Sequence, residues 1–430
     1  MSTSSPAASS STTSRSQLGS IAIIGALFFI FGFVTWLNGP LITFARLAFD
    51  LNEVDAFLIL TAFFLSYFFL AIPSSWILKR TGMKKGLALG LFTMAVGAAL
   101  FSEFCTQRWY PGALGGLFVI GGGLALLQTA VNPYISILGS IESAAQRIAL
   151  MGIFNKIGGF LAPMVIGMLV MQGIGELSAK VAAADVATKE QLLDAFATRI
   201  HMPYLVIAGL LALFAIGILF SPLPEIDPKT ANASRVADDA SGTGSSIFRF
   251  PHLWLGALCI FAYVGAEVMA GDAIGTYGAA FGLPLDEAKF FTSFTLGAML
   301  LGYVAGLLAI PKFVSQQDYL KWSALLGVLL AIGAFSTTGY VSVGFVAALG
   351  FANAMMWPAI FPLAIKGLGR HTELGSALLV MGIVGGAIIP RLFAGLKQEH
   401  DFQLVFLLLM VPCYLYILFF AVRGHRVGRG

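Results

Sequence analysis

Long apolar runs separated by short polar breaks dominate the chain. Apolar stretches of about 18 to 26 residues recur, each long enough to cross a hydrocarbon layer of roughly 30 Å as a helix. They cover 21–45, 55–78, 86–104, 112–138, 146–172, 200–221, 252–274, 288–310, 318–338, 341–365, 373–395 and 401–423. The pattern predicts an all-α membrane protein with twelve transmembrane helices. Two of the polar breaks are long. Segment 173–198 contains AADVATKEQLLDAFA, whose apolar positions recur at helical spacing, so a short surface helix is expected there. Segment 222–250 carries Pro, Ser and Gly as flexible linkers do, and it separates six spans from six. The expected organisation is a disordered tail over 1–20, a six-helix bundle over 21–221, a linker over 222–250, a second bundle over 251–423 and a tail over 424–430.

An internal repeat supports two parallel halves. Asn132-Pro133 is followed by Gly158-Gly159 and Pro163; Trp357-Pro358 is followed, at nearly the same distance, by Gly385-Gly386 and Pro390. A Pro-broken and a Gly-thinned helix in matching places is what a duplicated transporter shows. Spans 4 and 10 are therefore expected to break at their prolines, and spans 5 and 11 to pack closely at their glycines.

Composition narrows the class. Of 430 residues 58% are hydrophobic and 11% charged, against roughly 25% charged in an ordinary soluble domain. The net charge of +4 matters less than where the cations lie. Arg15, the Lys79-Arg80 and Lys84-Lys85 pairs, Arg147, Lys366 and Arg423 all fall on the side of the N-terminus. That excess predicts both termini in the cytoplasm and leaves nucleic acid without a role. Cys105, Cys259 and Cys413 are isolated in sequence, and His201, His252, His371, His400 and His425 sit at predicted helix ends. Neither a disulfide framework, a metal site nor a cofactor is expected. Residues 1–20 lack the features of a cleaved leader, so the first apolar stretch is expected to stay as a helix.

Polar residues inside spans should face a cavity or one another. Thr35 and Asn38 lie on one face of span 1, Gln128 and Asn132 of span 4, Tyr263 and Glu267 of span 7, Asn353 and Trp357 of span 10. Amides that donate and accept, with rings that cover an apolar face, suit a sugar or polyol. The plainer alternative is that the amides only join helices, worth about 0.6 kcal/mol each.

Lys156, inside IFNKIGGF, and Glu267 stand out further. A mid-span lysine costs roughly 2.5 to 3.5 kcal/mol, so something must offset it. Counting about 1.5 Å per residue, Lys156 lies about 13 Å from the cytoplasmic end of its helix and Glu267 about 22 Å from its own. A Lys156 to Glu267 pair is one expectation, and snorkelling of Lys156 to the inner boundary is the other. Asp272 lies nearer the outer surface, about 140° around the helix from Glu267.

The segments LNGPLITFARLAF (37–49), LQTAVNPYISILGSIESAAQRIALMGIFNKIGG (126–159) and MMWPAIFPLAIKGLGRHTELGSALLVMGIVGGAIIP (355–390) resemble the fucose, galactose and glucose symporter family of the major facilitator superfamily. The likeness extends over nearly all of 20–423 and looks closest to glucose/galactose or N-acetylglucosamine permeases. It implies two six-helix bundles related by a pseudo-two-fold axis, a central cavity lined mainly by spans 1, 4, 7 and 10, and alternating access. It also implies a substrate contact at Asn155. The fucose branch has an aspartate in span 1 and a glutamate in span 4, where this sequence has Gly39 and Gln128. The inner-loop signature between spans 2 and 3 survives only as LKRTGMKKG (78–86), without its acid.

The expected function is secondary active import of a monosaccharide, a glucose/galactose-type hexose or N-acetylglucosamine, across a bacterial inner membrane. The substrate is expected at Asn38, Gln128, Asn132, Asn155, Tyr263, Asn353 and Trp357. Since Gly39 and Gln128 cannot titrate, coupling to a proton or sodium is assigned to Glu267, with Asp272 second and Lys156 competing with the cation for the carboxylate. The working unit is expected to be a monomer in the bilayer. Alternatives are an uncoupled uniporter or an exporter of another small solute; a membrane enzyme or receptor would need a catalytic cluster or a large soluble segment, and the sequence has neither.

Overall fold

The computed structural model describes residues 10–137, 144–223, 246–310 and 312–428, excepting the side chains of 10–18, 132–148, 370 and 373. The regular structure among them is helical. Twelve helices are long and apolar enough to span a membrane: Gly19–Ala48, Glu53–Thr81, Met83–Thr106, Tyr110–Val131, Ala149–Leu169, Val186–Phe220, Pro251–Gly271, Leu285–Ala309, Gln316–Ser336, Gly339–Ile365, Leu374–Leu396 and Phe402–Val422. These are spans 1 to 12. An even number among the described residues puts the start of span 1 and the end of span 12 on one face, the face of the termini.

The two halves repeat the same packing. In the first, span 1 packs on 5, span 2 on 4, and span 3 on 4 and 6; in the second, span 7 packs on 11, span 8 on 10, and span 9 on 10 and 12. The halves meet where span 5 lies on span 8 and span 2 on span 11, contacts that exchange under the same two-fold relation. The repeated glycines explain how. A side chain at Gly158 would run into the span 1 backbone at Phe29 and Phe33, and one at Gly385 into the span 7 backbone at Phe261. Their neighbours face both ways. Gly159 touches Trp36 of its own half and Leu296 of span 8, while Gly386 touches Val268 of its own half and Phe64 of span 2. Small residues let backbones approach where apolar lipid supplies little drive for association.

Several spans are interrupted, and the breaks in spans 1, 10 and 11 bear on the site. Span 1 joins helices Ser10–Thr35 and Asn38–Ala48 through Trp36 and Leu37. Pro40, lacking an N–H, leaves the Trp36 carbonyl without its helical donor, and Asn38 Nδ2 donates to the Thr35 carbonyl at 3.0 Å. Span 10 breaks between Asn353 and Met356, four residues before Pro358 at Ala354, for the same reason. Span 11 carries a 3₁₀ turn, Gly382–Val384. Span 4 differs from expectation, since its helix Tyr110–Ile137 continues through Pro133. A single proline removes one hydrogen bond, which a membrane helix tolerates when its neighbours hold it.

The ends also differ from expectation. The first helix begins at Ser10, inside the segment expected to be disordered, because extending an existing helix fixes one residue per bond gained. After span 5 an additional helix, Ile174–Ala183, precedes the expected one at Val186–Thr198, which leads through a turn at Arg199 and Ile200 into the rest of span 6. Residues 424–426 form a 3₁₀ turn, and buried His425 shares a hydrogen bond with the Phe420 carbonyl at 2.9 Å, so the tail starts as part of the fold. Most of the expected linker, 224–245, lies outside the described residues.

On the face opposite the termini the halves are latched at both seams. Between spans 5 and 8, Lys289 Nζ donates to the Met171 carbonyl at 2.9 Å, and the Gly175 amide donates to Asp286 at 3.0 Å. Between spans 2 and 11, Lys397 pairs with Glu53, which Arg46 also approaches at 3.9 Å. Burial pulls the Lys397 ammonium below the ordinary lysine range, and Glu53 pulls it the other way.

Because both glycines abut backbone, Gly158→Leu and Gly385→Leu should each destabilise by about 1–3 kcal/mol, the cost of overpacking. Thermal denaturation of the purified variants in detergent checks this. Gly209→Leu, which has open space around it, should leave the midpoint unchanged.

Candidate functional site

Between the halves lies a cavity of about 140 Å³, measured as room for the centres of water-sized molecules, against roughly 10–15 Å³ for one water. It has room for a small solute. Its walls come from both halves: Thr35 and Trp36 at the break in span 1, Tyr67 of span 2, Gln128 of span 4, Asn155 and Lys156 of span 5, Tyr263 and Glu267 of span 7, Tyr303 of span 8 and Trp357 of span 10.

One ion pair crosses the cavity wall. Lys156 Nζ sits 3.0 Å from Glu267 Oε1, with the two side chains only 7% and 11% exposed. Snorkelling is therefore not what this lysine does. Its ammonium also lies 4.8 Å from the Trp36 ring centroid and 6.0 Å from that of Tyr303, within the range of cation–π attraction. The depth difference counted along upright helices is closed because membrane helices tilt, by about 20° on average, and because lysine is long.

The other expected residues divide into two groups. Gln128, Asn155, Tyr263 and Trp357 join the charge pair on the cavity wall. The Tyr263 and Trp357 ring centroids are 6.5 Å apart, and Trp357 stacks on Phe361 at 5.6 Å. Asn155 Nδ2 donates to the Phe28 carbonyl at 3.3 Å, which ties span 5 to span 1. Asn38, Asn353 and Asp272 are buried away from the cavity. Asn38 serves the break in span 1, and Asn353 Oδ1 accepts from the Tyr414 hydroxyl at 2.9 Å. Helical spacing had put these amides on the same faces as Thr35 and Trp357; the breaks after Thr35 and Asn353 rotate them out of line. The side chain of Asn132 lies outside the described residues.

Residues 24–390 match the Major Facilitator Superfamily model. The chain is 34% identical over 419 residues, 96% of each protein, to the glucose/galactose transporter of Brucella abortus biovar 1 (strain 9-941). It is 31% identical over 385 residues to the L-fucose-proton symporter of Escherichia coli (strain K12), covering 87% of this chain and 86% of that one. The crystal structure of the major facilitator transporter FucP in the outward conformation superposes with a TM-score of 0.72 at 27% identity, over 95% of this chain and 99% of the other. The chain belongs to the major facilitator superfamily. Within the superfamily it falls in the fucose permease and glucose/galactose transporter family.

This major facilitator chain therefore has a transporter's fold with a titratable pair where its two halves meet. Trp36 and Tyr303, which flank Lys156, were not among the expected site residues. Trp36 could have been found as the ring beside Thr35 just before a Gly-Pro break; Tyr303 is a lone ring in an apolar span and gives no such signal.

Removing one partner of a buried pair typically costs about 3–5 kcal/mol because a charge is left alone. Lys156→Met should therefore lower stability markedly, and Lys156→Met with Glu267→Gln should recover most of the loss. A double-mutant cycle from thermal unfolding measures the coupling.

Proposed function

We propose that this protein is a secondary transporter that imports a monosaccharide together with a cation by alternating access. The observation that carries this is the cavity between the two halves, whose rings, amides and single charge pair come from both sides of the interface. A sugar is met there by hydrogen bonds from Gln128 and Asn155 and by the ring faces of Trp357, Tyr263 and Trp36. The names of the relatives favour a hexose of the glucose or galactose type over N-acetylglucosamine.

In this mechanism a proton or sodium ion at Glu267 replaces the Lys156 ammonium. The pair links span 5 of one half to span 7 of the other, so exchanging the partner of Glu267 loosens the halves when cation and sugar are both bound. The working unit is a monomer in a bacterial inner membrane, with both termini cytoplasmic, in keeping with the excess of Lys and Arg on the side of the termini. Glycine at 39 and glutamine at 128 favour a second mechanism, uncoupled uniport, because neither can titrate.

Proteoliposomes loaded with and without ion gradients separate the two. Labelled galactose or glucose should accumulate uphill on a proton or sodium gradient in the parent protein. Glu267→Gln should lose accumulation and keep counterflow. Uphill uptake unchanged by that substitution sinks the role of Glu267, and gradient-independent uptake in the parent establishes uniport.

A further inference from the structure

Asp272 follows directly on span 7 and is 1% exposed, the most buried acid among the described residues. Neither of its carboxylate oxygens has a hydrogen-bond partner. It lies five residues, about 7.5 Å of helix rise, beyond Glu267 toward the face opposite the termini. Across the seam is Gly39 of span 1, where an added Cβ would come within 3.1 Å of Asp272 Oδ1 and 2.6 Å of Thr292 Oγ1. The Gly39 amide approaches the carboxylate without forming a hydrogen bond.

The donors around it are already committed. Thr292 donates to the Gly271 carbonyl at 2.8 Å and Thr295 to the Ala270 carbonyl at 2.7 Å. Four cations on the elements around it are committed, while Arg391 of span 11 keeps one buried nitrogen, Nη1, without a hydrogen-bond partner. Lys156 of span 5 is held by Glu267, Lys289 of span 8 by Asp286 and Met171, and Lys397 after span 11 and Arg46 of span 1 by Glu53. Glu267, on the same span, adds a like charge. The opposite charge that reaches it, Lys156, is already held by Glu267, so burying the carboxylate ionised is far costlier than burying it neutral.

We propose that Asp272 is a proton-binding site: the face opposite the termini shuts over it when it is protonated, and its ionisation favours opening of that face. On closing, one proton from water on that face adds to a carboxylate oxygen. With the seam shut, the proton leaves toward the side of the termini and the ionised carboxylate favours reopening, so one proton crosses in each cycle. The proposal names the proton as the cation of the coupled transport proposed above and takes its purpose from that function, but the closure itself needs no sugar.

Spin labels at Gln107→Cys and Glu399→Cys, exposed positions on the two halves at that face, report closure in lipid nanodiscs; the native cysteines are buried. In the parent, a short distance should dominate in acid and give way to a longer one in alkali, the ratio changing about tenfold per pH unit near the midpoint, as for one proton. Asp272→Asn, which stays neutral, should hold the short distance at both extremes. Glu267→Gln should still exchange the two distances with pH, with the midpoint displaced toward acid because a like charge beside Asp272 is gone. Distances that ignore pH in the parent, an unchanged pH dependence in Asp272→Asn, or its loss in Glu267→Gln each overturn the proposal. Should Asp272→Asn fail to fold, the parent and Glu267→Gln still decide it. Labelled galactose and glucose are tested separately for counterflow in the parent: a protein that closes with protonation but exchanges neither hexose retains the Asp272 site and refutes the sugar assignment.

Discussion

In a medium that does not hydrate charge, the Lys156 ammonium has the Glu267 carboxylate and the ring faces of Trp36 and Tyr303. The arrangement depends on that pairing because each ion alone would be the most expensive group in its span. Since one belongs to the first half and the other to the second, the most polar contact inside the membrane is also a contact between the bodies that must move. The ring faces give the ammonium a partial substitute for water, which the carboxylate lacks.

Around this pair the fold is held by shape. Gly158 with Gly159 and Gly385 with Gly386 each bring one backbone against the first helix of their own half and offer a flat face to the second helix of the other. A single sequence feature therefore builds both the inside of each bundle and the surface between bundles. The latches at the face opposite the termini follow the same symmetry, with Lys289 at one seam and Lys397 at the other. Polar groups there close over an apolar seam and leave Asp272 sealed inside it.

Most of the architecture was legible in the sequence because a span announces itself by length and hydropathy alone. The twelve expected segments overlap the observed spans, and the glycine repeat marks two of the close helix contacts. Side-chain direction was less legible. Asn38 and Asn353 stood at regular helical spacing from Thr35 and Trp357, yet a break in each helix turned them away. Proline was an uneven guide, since span 10 yields near Pro358 and span 4 runs through Pro133. The approach of Lys156 to Glu267 lay beyond depth counting because tilt is a property of the assembled bundle.

The uneven breaks give the molecule an uneven stiffness. Spans 4 and 10 occupy equivalent places, but one is a continuous rod and the other two shorter rods joined at Ala354 and Met355. Span 11 adds a second soft joint to the same half at Gly382–Val384. A load shared between these two spans bends the jointed one first. Span 10 is thus the compliant member of the equivalent pair, and span 4 the stiff rod against which it works.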